Sequence, residues 1–187
     1  GRTHKLDQPF FVMATQNPIE LEGTYPLPEA QLDRFLLKVN MAMEGEKELL
    51  EILSRFSGAG VPAPNAVASR EDLLKARGLV RDVVVPEPVG AFIVRLVAYG
   101  APGNSKAPAA VARFVKYGPS PRGAISLALA AKARALSLGR PNVEIQDVKA
   151  VALPALRHRI ILNFEGEAGK VRIEEVVDGI VDAAAKQ

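Results

Sequence analysis

The chain has 187 residues, 48% of them hydrophobic and 24% charged, with no cysteine and no tryptophan. Apolar content near half is the composition of a folded domain, and the lack of cysteine excludes a disulfide framework, a thiolate nucleophile and cysteine-ligated zinc or iron–sulfur. The formal net charge is only +3, yet residues 106–160 carry ten basic groups against Glu144 and Asp147 alone, a local +8, so this segment is expected to meet an anion or an acidic neighbour.

Two histidines far apart, His4 and His158, do not suggest a metal site. No apolar run approaches the ~18 residues of a membrane span, and no signal-peptide pattern opens the chain. The first residue is Gly1 rather than methionine, which suggests a piece of something longer.

In chain order, Pro9–Thr15 is a continuous apolar run of the kind buried on both faces of a sheet. It ends in the polar turn Thr15-Gln16-Asn17-Pro18, whose proline stops a strand ladder. Glu22–Pro28 reads as a loop, Pro28–Phe35 as a short helix with proline in its first turn, and Leu36–Asn40 as a second strand. Two strands are too few for a sheet, so the remainder is expected before Gly1.

Beyond these the period turns helical. Leu49, Leu50, Leu53 and Phe56 share one face of a helix from Glu46. Ser69-Arg70-Glu71-Asp72 has the shape of a helix start, Val83–Pro86 is an extended connector, and Val89–Ala98 and Ala109–Tyr117 read as helices. Ser120-Pro121-Arg122 opens the clearest helix, with serine as N-cap and proline at N1, and Gly139 stops it. Ile145–Leu162 reads as helix interrupted near Pro154, and Ile173–Ala185 as the last helix. The organisation is the end of an α/β domain, residues 1–42, followed by an all-helical domain, residues 43–187.

No phosphate-cradling loop is present: Gly166-Glu167-Ala168-Gly169-Lys170-Val171 has the wrong spacing and no hydroxyl after its lysine. Candidate residues stand instead at element boundaries. Asn17, beyond the end of a buried strand, could align a water against a phosphoryl group, or simply cap the turn before Pro18. Arg34 could project into a neighbouring subunit's site, or pair with Asp33 or Glu29. Arg122 places a cation at the unfavourable end of a helix dipole, which suits either an external anion or a solvated surface position. His158, between Arg157 and Arg159, reads as a packing or capping residue.

Phe11–Glu20 followed by Glu22–Phe35 closely resembles the MoxR family of AAA+ ATPases. Gly118-Pro119-Ser120-Pro121-Arg122 looks like that family's Gly-x-Ser-Pro-Arg motif, and Gly139–Val143, Asp147-Val148 and Leu156–Ile160 look like the lid elements that follow it. The resemblance implies an α/β remnant of a P-loop AAA+ core joined to an all-α lid, mainly α-helical overall. It implies that Asn17 is sensor 1, positioning the attacking water, that Arg34 is an arginine finger offered to the next subunit, and that Arg122 is sensor 2, reaching the γ-phosphate from the lid. The expected cofactors are ATP and Mg2+, held mainly by upstream residues, so that this stretch alone is inactive. The expected setting is cytoplasmic, in a ring, hexameric by family habit, acting as a chaperone on client proteins, with a von Willebrand factor A domain protein as a possible partner. Nucleic acid is not the expected partner. Two alternatives stay open: a hydrolysis-deficient scaffold and a basic helical nucleic-acid adaptor. Pro119 and Gly123 stand where the family commonly has alanine.

Overall fold

The computed structural model describes residues 3–16, 27–41, 45–58 and 63–186. Its elements are α1 (Glu29–Leu32), α2 (Glu46–Phe56), α3 (Arg70–Asp82), α4 (Glu87–Tyr99), α5 (Ala109–Phe114), β1 (Val115–Tyr117), α6 (Pro121–Ser137), α7 (Ile145–Leu156), β2 (Ile161–Leu162), α8 (Phe164–Ala168) and α9 (Ile173–Ala185). The chain is mainly α-helical, as the sequence implies.

The core is built by α4, α6, α7 and α9. Apolar residues recur at helical spacing and meet in one cluster: Phe92 and Leu96 of α4, Leu127, Ala131 and Ala135 of α6, Val148, Ala152 and Leu156 of α7, Val176, Val177 and Ile180 of α9. Each large side chain buried there contributes about 1.5–3 kcal/mol. The buried face of α6 is mostly small, with Gly123, Ser126, Ala130 and Ala131 beside Leu127, and α7 packs closely on it. Helix starts follow the sequence signals. Ser69 accepts from the Asp72 amide at 3.1 Å while its own amide donates to Asp72 Oδ2 at 2.9 Å, satisfying donors that a helix N-terminus leaves open.

Several expectations are revised. Ala109–Tyr117 is not one helix: it splits into α5 and β1, because β1 pairs antiparallel with β2, Val115 opposite Leu162. The helix of α7 runs through Pro154 rather than breaking there, but it ends at Leu156 instead of reaching Leu162, because Ile161–Leu162 forms β2. Pro154 lies in the last turn, and its carbonyl accepts from the Lys38 amide at 2.8 Å.

Neither 9–15 nor 36–40 forms a strand. A strand needs a ladder of hydrogen bonds to a neighbouring strand, and neither run has one among the described residues; the Lys38 amide bonds instead to the end of α7. Phe11 and Met13 are each 80% exposed. The α2 helix forms where periodicity places it, but none of its residues is buried.

Candidate functional site: a carboxylate shared by two arginines

The site is assembled where the turn after α1 meets the lid. Gly118 decides how the chain enters α6. A Cβ on it would lie 2.2 Å from the Gly100 carbonyl oxygen at the end of α4, so only glycine allows this approach. Pro119 then packs over Gly100, and Ser120 caps α6 by accepting from the Arg122 amide at 3.1 Å. A Cβ at Gly123 would sit 3.1 Å from Cβ of Pro119, a tight contact that an alanine at 119 would make as well.

Asp33, immediately before Arg34, is the centre of the cluster. Its Oδ2 accepts from Ser120 Oγ at 2.9 Å and from Arg122 Nη1 at 3.2 Å, and its Oδ1 accepts from Arg159 Nε at 3.0 Å. Burial acts to raise its pKa, but the hydrogen bonds from Ser120, Arg122 and Arg159 outweigh burial and hold the carboxyl below its ordinary value.

Arg159 has a side chain only 1% exposed. Besides Asp33 Oδ1 it donates to the carbonyls of Asp33 at 2.9 Å, Phe35 at 2.7 Å and Leu36 at 3.3 Å, and to Ser126 Oγ at 2.9 Å. It also reaches the Ala155 carbonyl. Its fork therefore ties residues 33–36 to α6 and α7, as a buried guanidinium must if its donors are to be satisfied. His158 Nε2 lies 3.1 Å from the Phe35 carbonyl and 2.8 Å from Arg159 Nη1, and a neutral ring can serve only one of these. Burial pushes its pKa down, with Arg159 adding to the effect. This is the packing role its sequence context suggests.

Of the sequence-derived candidates, Asn17 lies outside the described residues. Arg34 is exposed in the turn after α1, with no side-chain partner among the described residues; Asp33, its nominal partner, is engaged by Arg122 and Arg159 instead. Arg122 is in the first turn of α6, its side chain 62% exposed and paired with Asp33. Asp33 and Arg159 were not singled out as site residues. No local signal marks them, since residues 106–160 offer only two acids, Glu144 and Asp147, and Asp33 lies far away in sequence.

Those two acids are already occupied. Asp147, fully buried, accepts from Arg134 at 2.8 Å and Arg140 at 2.7 Å. Arg140 above all holds its pKa down at about 2. Arg113 pairs with Glu165 and Arg157 with Glu174. All six arginines of the basic segment are thus ion-paired within the chain, and the chain itself supplies part of the acidic neighbour through Asp33, Glu165 and Glu174.

Comparison with known proteins agrees with this architecture. Residues 1–37 match the "ATPase family associated with various cellular activities (AAA)", and residues 107–180 match the "AAA lid domain". The chain is 37% identical over 185 residues to Chaperone MoxR1 of Mycobacterium tuberculosis, covering 99% of this chain and 49% of that protein. It is 38% identical to the uncharacterized protein YeaC of Bacillus subtilis, covering 98% and 55%. The crystal structure of a protein described as an ATPase from Cytophaga hutchinsonii superposes with a TM-score of 0.89 at 38% identity, over 96% of this chain and 55% of that one. The chain spans about half the length of the curated relatives it matches. Matched in both its first residues and its helical body, the chain belongs to the MoxR family of AAA+ ATPases.

Proposed function

We propose that this chain forms part of an ATP-driven remodelling machine, with residues 1–42 the closing part of an ATPase core and residues 43–187 its lid. Asn17 positions the attacking water, Arg122 reaches the γ-phosphate from the lid, and Arg34 reaches the site of the next subunit. The observation that carries the reading is the placement of two arginines at one corner: Arg122, exposed and held by a single carboxylate oxygen, and Arg34, exposed in the adjoining turn without a partner among the described residues.

ATP supplies the phosphoryl group that water attacks. Charge develops on that group in the transition state, and preorganised guanidinium groups stabilise it without reorganising. Among the described residues no group of three or more histidine or carboxylate side chains could hold a metal ion. An arginine acting in trans requires a head-to-tail interface, which closes into a ring where the rotation permits; a hexamer suits this role. Client proteins, and a von Willebrand factor A domain partner, complete the proposal. No described helix is long and apolar enough to cross a membrane.

The test is steady-state hydrolysis and equilibrium ATP binding in the full-length ATPase. Arg34→Ala is expected to lower kcat by about 10³-fold or more with binding retained. Arg122→Ala is expected to weaken both. Loss of binding in a folded Arg34→Ala protein would contradict its assignment to the neighbouring site.

A further inference from the structure

We infer that Asp33 is a positioning residue: its carboxylate holds Arg122 when no phosphate is present and competes with the nucleotide for it. The inference rests on the reading above, in which Arg122 meets the phosphate.

The two carboxylate oxygens have different tasks. Oδ1 faces the buried Arg159, and the same guanidinium donates to the Asp33 carbonyl, so this side of the contact is multiply anchored away from water. Oδ2 faces outward, to Ser120 Oγ and to one nitrogen of Arg122 at 3.2 Å. Arg122 is the exchangeable partner. Its side chain is 62% exposed against 17% for Asp33, and an ion pair open to water at its arginine end and held by one hydrogen bond is weak. Arg122 also stands in the first turn of α6, where the helix dipole disfavours a cation; a carboxylate offsets that cost in the resting state and a phosphate can do so in the bound state.

Asp33 cannot follow Arg122 when it leaves. The Arg159 fork fixes the carbonyls of Asp33, Phe35 and Leu36, on both sides of Arg34. Departure of Arg122 thus removes one cation from the carboxylate that directly precedes Arg34. What Arg122 touches in one subunit is felt beside the arginine presented to the next.

Asp33→Asn keeps the shape and removes the competing charge. In the full-length ATPase, ATP is expected to bind about two- to five-fold tighter, the range an exposed ion pair spans. The gain should vanish when Asp33→Asn is placed in an Arg122→Ala background. A purely structural role for Asp33 would loosen binding or leave it unchanged, and would not depend on Arg122. Should Asp33→Asn not fold, as judged by its melting curve, Asp33→Asn/Arg159→Gln removes the buried charge with its counter-ion and is expected to show the same tightening. Unchanged or weaker ATP binding in the folded variant would overturn the proposal. An Arg122→Ala protein that binds ATP as well as wild type would overturn the underlying reading, and this inference with it.

Discussion

Arg122 was legible because local rules surround it: Ser120 as N-cap and Pro121 at N1 announce where the helix begins, and so where the arginine stands. Arg159 was not, because its importance comes from carbonyls more than a hundred residues away, which no local pattern encodes. The sequence offers Asp33 as one alternative partner for Arg34, beside Glu29 or another acid, whereas tertiary contact gives it to Arg122 and Arg159. At this scale Gly118 offers the sharpest test of how Arg122 is held. Gly118→Ala forces a Cβ against the Gly100 carbonyl, and overpacking of that kind costs about 1–3 kcal/mol. Urea unfolding should register that loss. Because the displaced loop carries Ser120 and Arg122, ATP binding in the full-length protein should weaken too.

Among the elements, helix starts were legible and helix ends less so: α9 spans Ile173–Ala185 as its period predicts, but α5 ends at Phe114 and α7 at Leu156, short of the Tyr117 and Leu162 expected. Strands were not. The apolar run 9–15 satisfies the composition of a buried strand, but a ladder needs a neighbour, and none lies among the described residues. Conversely β1 is hidden in what reads as helix, because pairing with β2 overrides the local preference. The junction of α6 and α7 carries its own prediction. Asp147 is held at about 2 against an ordinary 3.8, chiefly by hydrogen bonding from Arg140. A carboxyl lowered in the folded state contributes stability above its unfolded value, and this is lost as pH falls through the folded one. Unfolding free energy should therefore drop steadily from pH about 4 towards pH about 2. Asp147→Asn should cost about 2–4 kcal/mol at neutral pH and flatten that acid limb. An unchanged acid limb would show that another carboxyl governs it.

For the whole molecule, the local +8 pointed outward from the sequence, yet three acids from elsewhere in the chain offset part of it. Glu165, Glu174 and Asp33 lie outside the basic segment and neutralise three of its arginine sites; the summed charge was legible, its pairing was not. Arg34 stands apart from these pairs, exposed and unpartnered among the described residues. The central claim is that Asn17 and Arg34 serve different active sites from one chain. Mixing full-length Arg34→Ala subunits with Asn17→Ala subunits tests it most directly. Each variant alone should hydrolyse ATP poorly, and the mixture should recover part of the activity, because some interfaces then combine an intact Asn17 with a neighbour's intact Arg34. A mixture that assembles, as shown by co-purification of differently tagged subunits, yet stays as inactive as its components would contradict the account.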